Sequence, residues 1–216
     1  MQLPADLTLY VVRHGETEHN RRRLMQGLRI DAPLNERGAE QARALGERFA
    51  QVSLDAIFVS PLIRARQTAD EVIRLHPEVP VYVDADLAEM SWGEMEGRSI
   101  DDVADELRAF AAEWRHGRFD RKVGGGESIL DVQARAERVI ARLLAAHRGE
   151  HVLVVTHGRF LRVFLATALD QGNPSRMDRF EHANTGVYRL VHDGAGFTSD
   201  LMNCTAHLEE ETEAPA

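Results

Sequence analysis

Short apolar segments alternate with amphipathic stretches along most of this chain, and that alternation limits the fold more than any other feature. Runs rich in β-branched residues predict strands over residues 7–12, 56–59, 81–83, 152–155, 187–191 and 197–201. Apolar residues at helical spacing predict helices over residues 36–52, 99–117, 128–149 and 161–168, with another beginning near residue 60. Because strands separated by helices join through crossovers, we predict an α/β fold of three layers, α/β/α, around a mainly parallel central sheet. Asp193-Gly194 between the last two runs predicts a hairpin, and hence an antiparallel edge strand.

Capping signals predict where the helices start and stop. Serine followed by proline suits a helix start, serine three residues before aspartate resembles a capping box, and glycine suits a stop. These signals are Ser60-Pro61, Ser99 with Asp102, Ser128 with Asp131, Gly117 and Gly149. Residues 90–126 break the alternation, so we predict a lid-like insertion within a single domain of residues 1–208. The acidic residues 209–216 are predicted to be a frayed tail.

Composition argues against several classes of protein. The 216-residue chain is 44% hydrophobic, which suits one folded domain with a sizeable core. Its net charge of −9 argues against nucleic acid as a partner, because binding the phosphate backbone requires a basic face. We see no signal peptide, and no apolar run reaches the roughly 18 residues of a membrane helix. We therefore expect a cytoplasmic protein with no membrane partner, and the sequence does not indicate its oligomeric state. The one cysteine, Cys204, allows no intrachain disulfide.

Two histidines follow apolar strands in the same way. Arg13-His14-Gly15 comes directly after the first strand, and Thr156-His157-Gly158 follows a later one. If both strands are parallel, both histidines emerge at the carboxyl edge of the sheet, where α/β proteins place binding sites. Arg64 lies in the first turn of a helix near the same edge. Two arginines and two histidines at one point suit a phosphate dianion, with Asn20 and the Gln26-Gly27 backbone as expected neutral donors.

Five sequence blocks identify a family. RHGETEHN, SPLIRARQTA, AEMSWGEMEG, GGES and VVTHGRFLR occur in this order across residues 11–162. Together they closely resemble the histidine phosphatase superfamily, which has the phosphoglycerate mutase-like fold. The resemblance implies that His14 is a nucleophile that becomes transiently phosphorylated, that Glu89 is the proton donor, and that Arg13, Arg64 and His157 hold the phosphoryl group. The predicted substrate-binding residues around them are Asn20, Gln26, Gly27 and Gly158.

These roles agree with the chemistry of phosphoryl transfer, which requires positioning and charge stabilisation. A neutral imidazole attacks phosphorus in line while a carbonyl group holds its other nitrogen. Both arginines and a protonated His157 are expected to neutralise the phosphoryl oxygens. A carboxylic acid protonates the leaving alkoxide and then activates water, and from the residues alone Glu16, Glu94 and Glu96 compete with Glu89 for this role. Glu127 and Ser128 either cap a helix or support the nucleophile loop.

No metal or other cofactor is expected, because the histidines form no H-x-x-x-H pair on a helix and lack cysteine partners. The family's aromatic and basic residues are replaced here by His19 and Leu24, which bears on substrate choice more than on chemistry. Arg21–Arg23 is interpreted as a solvated surface run. Trp114 is expected in the core, whereas Trp92 is expected either there or in the wall of the pocket.

The predicted function is hydrolysis of small phosphate esters by a metal-independent phosphomonoesterase. The first alternative is a phosphoglycerate mutase dependent on 2,3-bisphosphoglycerate. Mutases of the family share the pattern YGxLxGLNK, whereas this chain has WGEMEGRSI without the lysine. The alternative of another class is a non-catalytic domain that binds phosphorylated ligands, although such relatives usually lack a core histidine or arginine.

Overall fold

A six-stranded sheet forms the centre of the computed structural model, which describes residues 6–209. The strands are β1 (Leu7–Arg13), β2 (Ala56–Val59), β3 (Val81–Val83), β4 (His151–Thr156), β5 (Val187–His192) and β6 (Phe197–Cys204). Their order is β3-β2-β4-β1-β5-β6. The first four strands run parallel, β5 pairs antiparallel with β1, and β6 pairs antiparallel with β5. The predicted α/β fold with a mainly parallel sheet and an antiparallel edge strand is confirmed. The predicted frayed tail, apart from Glu209, lies outside the described residues.

Helices cover both faces of this sheet. The α-helices of residues 6–209 are α1 (Glu18–Arg21), α2 (Glu36–Phe49), α3 (Ile63–Ile73), α4 (Ala104–Arg115), α5 (Ile129–Ala146) and α6 (Gly158–Leu169). Side chains alternate along β4, so that Val152 and Val154 pack with α5 and α6 while Leu153 and Val155 pack with α2 and α3. The result is the predicted α/β/α arrangement of three layers. Within the described residues, the helices are too short or too polar to cross a membrane.

Two of the predicted helix starts are wrong. Helix α3 begins at Ile63 without a side-chain cap; the Ser60 hydroxyl accepts the Leu62 N–H at 3.3 Å, just before the helix, and lies 2.6 Å from Nε2 of His157. Helix α4 begins at Ala104, also without a side-chain cap, because the Ser99 hydroxyl accepts a hydrogen bond from the Asp101 N–H in the preceding turn. The third start is confirmed, since Ser128 and Asp131 form a capping box on α5.

Candidate active site

A cavity of about 140 Å³ lies at the carboxyl ends of β1 and β4. Arg13 is paired with Thr156 in the parallel register, so that His14 and His157 follow at the same height. Their ring centroids are 5.1 Å apart. The cavity is lined by Arg13, His14, Asn20, Leu24, Met25, Gln26, Arg64, Glu89, Trp92, Ile100, Gly158, Arg159 and His182. The edge of the sheet therefore brings together most of the site residues predicted from sequence.

Hydrogen bonds fix the His14 ring in one tautomer. Its Nδ1–H donates to the carbonyl oxygen of Gly15 at 2.6 Å, which leaves the lone pair on Nε2. The Gly15 N–H donates to Thr68 Oγ1 at 3.0 Å, and the Asn184 side chain donates to the carbonyl oxygen of His14 at 2.9 Å. Glycine is needed at position 15, because a Cβ there would lie 2.6 Å from the carbonyl oxygen of Gly38. The loop that carries His14 is thus held from both sides.

The same surroundings keep His14 neutral. Burial, followed by the positive charges of Arg64 and Arg13, holds the pKa of His14 well below its ordinary value. A neutral imidazole with its lone pair on Nε2 is the form that can act as a nucleophile.

The two arginines carry the positive charge of the cavity. The Arg64 side chain is fully buried, and its two terminal nitrogens donate to the carbonyl oxygens of Ile30 and Gly27 at 2.9 and 3.0 Å. Arg13 donates to the carbonyl oxygen of His182 at 2.6 Å. Neither Nε has a hydrogen-bond partner, and neither guanidinium forms an ion pair within residues 6–209. Burial lowers the pKa of Arg13 to about 10, which still leaves it charged at neutral pH. Buried cations with neutral partners favour an anion.

The surroundings of His157 favour its neutral form in the protein alone, and the protonated form expected in the transition state stays a prediction. Burial, followed by the positive charges of Arg64, Arg13 and Arg135, holds the pKa of His157 well below the ordinary value. Its Nε2 lies 2.6 Å from Ser60 Oγ, whereas its buried Nδ1 has no hydrogen-bond partner among residues 6–209. Two buried arginines make a third positive charge unfavourable, and the sequence argument did not include that cost.

Glu89 is buried, with 8% of its surface exposed, and it caps helix α6 from another part of the chain. One carboxylate oxygen accepts the N–H groups of Met90 and Phe160 at 2.8 and 3.0 Å, and the other accepts that of Arg159 at 3.1 Å. The first turn of a helix favours a negative group in this position. Arg135 holds the preceding loop by donating to the carbonyl oxygens of Asp86 and Ala88 at 2.6 and 2.9 Å.

The other glutamates weighed for the acid role lie outside the cavity lining. Glu16 accepts a hydrogen bond from the Asn35 side chain at 2.8 Å, Glu94 is exposed, and Glu96 accepts backbone N–H groups of Trp92 and Arg29. Glu127 pairs with Arg135 and accepts the Ser91 N–H at 2.8 Å. Glu127 therefore supports the segment that follows Glu89, and the nucleophile loop has other supports.

The predicted substrate-binding residues are placed in different ways. Asn20, Gln26 and Gly158 line the cavity. The Asn20 oxygen also accepts the Thr17 N–H in a capping box, and the Gln26 amide donates to the Thr17 hydroxyl at 2.6 Å. Gly27 lies outside the lining; its carbonyl oxygen holds Arg64, and a Cβ there would lie 2.5 Å from the carboxylate carbon of Glu96. Its role as a substrate contact stays a prediction.

Four cavity residues were missed by the sequence argument: the apolar Met25 and Ile100, and the basic Arg159 and His182. His182 precedes β5 by five residues in an irregular segment, and it packs so closely on Gly158 that a Cβ there would lie 2.7 Å from its ring. Burial, followed by nearby arginines, lowers the pKa of His182 to about 3. Arg159 lies in the first turn of α6, directly after His157-Gly158, so its place in the sequence was a usable signal. No local pattern marks His182.

The structure also shows the positions of the remaining residues that the sequence analysis discussed. Leu24 lines the cavity, whereas Arg21–Arg23 is exposed, as expected. Trp114 is buried in the core, as expected, and Trp92 lines the cavity. Within residues 6–209, no three His, Cys, Asp or Glu side chains are grouped so as to hold a metal ion. Independence from metal stays a prediction.

Comparison with known proteins gives consistent matches along the chain. The family described as "Histidine phosphatase superfamily (branch 1)" matches residues 9–205. A probable phosphoglycerate mutase, GpmB, of Salmonella choleraesuis (strain SC-B67) is 34% identical over 209 residues, which cover 94% of this chain and 95% of the relative.

Solved structures of similar proteins agree with this match. YhfR of Bacillus stearothermophilus is 33% identical with a TM-score of 0.82, and the match covers 94% of this chain and 100% of that one. A mycobacterial glucosyl-3-phosphoglycerate phosphatase, solved with VO3, is 26% identical with a TM-score of 0.78, and the match covers 92% of this chain and 99% of that one. Both mutase and phosphatase names therefore occur among the similar proteins.

Proposed function

This chain belongs to the histidine phosphatase superfamily, branch 1, and we propose that it is a phosphomonoesterase that hydrolyses small phosphate esters through a phosphohistidine at His14. The hydrogen bond from His14 Nδ1 to the Gly15 carbonyl oxygen carries this proposal. It leaves a neutral Nε2 beside two buried arginines that form no ion pair within the described residues, although Glu89 lines the same cavity. That is the arrangement that attack on a phosphorus atom requires.

In the first step, Nε2 of His14 forms a bond to phosphorus while the bond from phosphorus to the leaving oxygen breaks. Arg13 and Arg64 stabilise the phosphoryl oxygens, and their surroundings fix both guanidinium groups before the substrate binds. The negative charge of the phosphate also favours proton uptake by His157, which would then add a third cationic donor.

Glu89 completes both halves of the reaction. Its carboxylic acid form gives a proton to the leaving oxygen, and its carboxylate then takes a proton from the water that attacks the phosphohistidine. The bond from Nε2 to phosphorus breaks in this second step, which releases phosphate and restores His14. The three N–H groups fix the position of Glu89 at the cavity wall and favour its carboxylate, the form that acts as the base. A bound phosphate dianion disfavours a second negative charge beside it, and so favours the acid form that the first step requires.

The lid-like region of residues 90–126 contributes Trp92 and Ile100 to the cavity lining. We propose that it covers the site within a single domain of residues 1–208. Because the two arginines already supply positive charge, we propose that the enzyme needs no metal.

A phosphoglycerate mutase is the second candidate, and the 34% identity to a protein named as a probable phosphoglycerate mutase favours it. A mutase must grip the far end of a small acid while the phosphoryl group is on the histidine. In a phosphatase water attacks the phosphohistidine, whereas in a mutase the bound acid takes the phosphoryl group back on its other oxygen. Analysis of the products therefore distinguishes the two candidates. The enzyme should be incubated with 3-phosphoglycerate and catalytic 2,3-bisphosphoglycerate while free phosphate and 2-phosphoglycerate are measured together. We expect phosphate release to exceed isomer formation, and the opposite ratio establishes the mutase.

Phosphohistidine formation tests the common first step. Enzyme quenched during turnover of a ³²P-labelled ester should carry a label that is stable in alkali and lost in acid, and His14→Ala should not. A label with the opposite stability would indicate serine or threonine. A non-catalytic binding domain would bind phosphate without forming any label.

A further inference from the structure

A groove of about 380 Å³ lies beside the cavity and has no part in the steps above. Its apolar lining consists of Met25, Trp92, Ile100, Leu107, Ala111 and Trp114. Met25, Trp92, Ile100 and Arg159 line both the groove and the cavity, so they form the boundary between them. An ester whose phosphate lies in the cavity can therefore extend its leaving group into the groove.

The charged residues of the groove already have partners of opposite charge. Arg159 pairs with Asp178 at 3.1 Å, and its guanidinium lies over the rings of Trp92 and Trp114, 5.5 and 5.2 Å from their centroids. Arg108 pairs with Asp105 on its own helix. A second phosphate or carboxylate would have to compete with these carboxylates, whereas an apolar group meets tryptophan and aliphatic surface.

We propose, on the basis of the phosphatase function above, that the groove binds the leaving group and that the preferred substrates are phosphate monoesters of apolar alcohols or phenols. A cavity of about 150 Å³ is enough to bind benzene, so the groove has room for a ring with an alkyl substituent. Each buried methylene strengthens binding about fourfold. Such a leaving group gains affinity without any further charged contact.

Two esters with the same reacting bond test the proposal, namely phenyl phosphate and 4-butylphenyl phosphate. The butyl group lies far from the phenolic oxygen, so leaving-group acidity is nearly equal and only apolar surface differs. We expect kcat/KM to be at least about tenfold higher for the butyl ester, because four methylene-sized groups become buried.

A matched pair of substitutions locates the effect. Ala111→Leu on α4 fills the groove and should reduce the kcat/KM ratio of the two esters towards 1. Ala109→Leu places the same side chain on an exposed position of the same helix and should leave the ratio as in the wild type. Equal ratios in both variants would contradict the assignment.

Binding without catalysis provides a second measurement, which separates this proposal from the proposed function. Both tryptophans of the chain line the groove, so intrinsic fluorescence reports its occupancy. Hexylphosphonate should bind at least about tenfold more tightly than methylphosphonate and change the emission, and Ala111→Leu should reduce that difference. Failure to hydrolyse any ester would refute the phosphatase function and leave this binding test intact. Equal affinity for the two phosphonates, or hydrolysis that does not depend on the butyl group, would refute the role of the groove.

Discussion

The Glu89→Gln substitution should slow hydrolysis of alkyl phosphates about 10²–10⁴-fold and that of aryl phosphates much less. An alkoxide needs a proton in order to leave, whereas a phenolate such as 4-nitrophenolate leaves with little help. The amide of glutamine has nearly the shape of the carboxylate but cannot supply that proton. The ratio of the two rates therefore measures proton donation.

The structure also predicts a cost in stability. The two carboxylate oxygens accept three backbone N–H groups, those of Met90, Arg159 and Phe160. Glutamine keeps one acceptor oxygen and turns an NH₂ group towards N–H donors. Hydrogen bonds to a charged group contribute about 1.5–3 kcal/mol, and a negative charge at a helix start adds about 0.3–1 kcal/mol. We expect the free energy of unfolding to fall by about 1–3 kcal/mol. Any loss of folded enzyme lowers the rates of hydrolysis of both esters by the same factor, so it leaves their ratio unchanged.

Glu96→Gln provides the matched control. Glu96 also accepts two backbone N–H groups, those of Trp92 and Arg29 at 3.0 and 2.8 Å, but lies outside the cavity lining. It should lose stability to a similar extent and keep the wild-type ratio of rates. Phosphate release from glycerol 2-phosphate and 4-nitrophenyl phosphate, with urea unfolding, measures both effects. If Glu89→Gln slows both esters equally, Glu89 is structural, and Glu16 or Glu94 becomes the better candidate for the acid.

Three further predictions concern metal, pH and the second histidine. Activity should survive EDTA, and loss that a divalent ion restores would reveal a missed metal site. The pKa values of His14 and His157 in the folded protein lie below the unfolded value of about 6.5, so the unfolded chain binds more protons below that pH. The free energy of unfolding, measured with urea, should therefore decrease as the pH is lowered, by up to about 1.4 kcal/mol per pH unit for each histidine. A flat profile between pH 7 and 5 would contradict this burial. Ser60→Ala removes the partner of His157 Nε2 and should lower kcat/KM about tenfold, whereas Ser60→Thr should retain most activity; equal loss in both variants would show that the hydroxyl is not what matters.

The sheet was predictable because its signals are local. The central strands are runs of apolar, β-branched residues, and β2 and β3 have the bounds that the sequence indicates. Parallel strands end at the same edge of the sheet, so the residues that directly follow them lie close together, regardless of the path that the loops take. This is why Arg13, His14 and His157 could be placed together from sequence, and why the family blocks lie at strand ends.

The errors arose where a side chain has a distant partner. Ser60 looked like a helix cap in its own segment, but its hydroxyl lies against His157, 97 residues along the chain. Arg13 donates to the carbonyl oxygen of His182, 169 residues away, and nothing in the irregular segment around residue 182 indicates that contact. Propensity and capping rules describe neighbours in sequence, and they cannot report which element packs on which.

Charge states show the same limit. The sequence argument assigned a neutral imidazole to the nucleophile and a positive charge to both arginines and His157, without the cost of burying those charges together. Arg64 and His157 are fully buried, and a buried histidine beside two buried arginines loses its proton first, because its ordinary pKa is the lowest of the set. The cavity therefore combines two arginine charges and a neutral nucleophile, His14, with the carboxyl group of Glu89 in its lining.

In the proposals above, chemistry and substrate choice depend on different parts of this chain. The residues that would act on phosphorus lie at strand ends, whereas the groove is formed mainly where α4 packs near Trp92 and the start of α6. Helix α4 could be predicted as a helix, but the face that it presents to the cavity depends on packing. Its Leu107 and Ala111 are ordinary helix residues in sequence, and they line the proposed binding groove in the folded chain, where Trp114 of the same helix is buried in the core. Relatives that share the catalytic residues can therefore differ in leaving group through changes in this one helix.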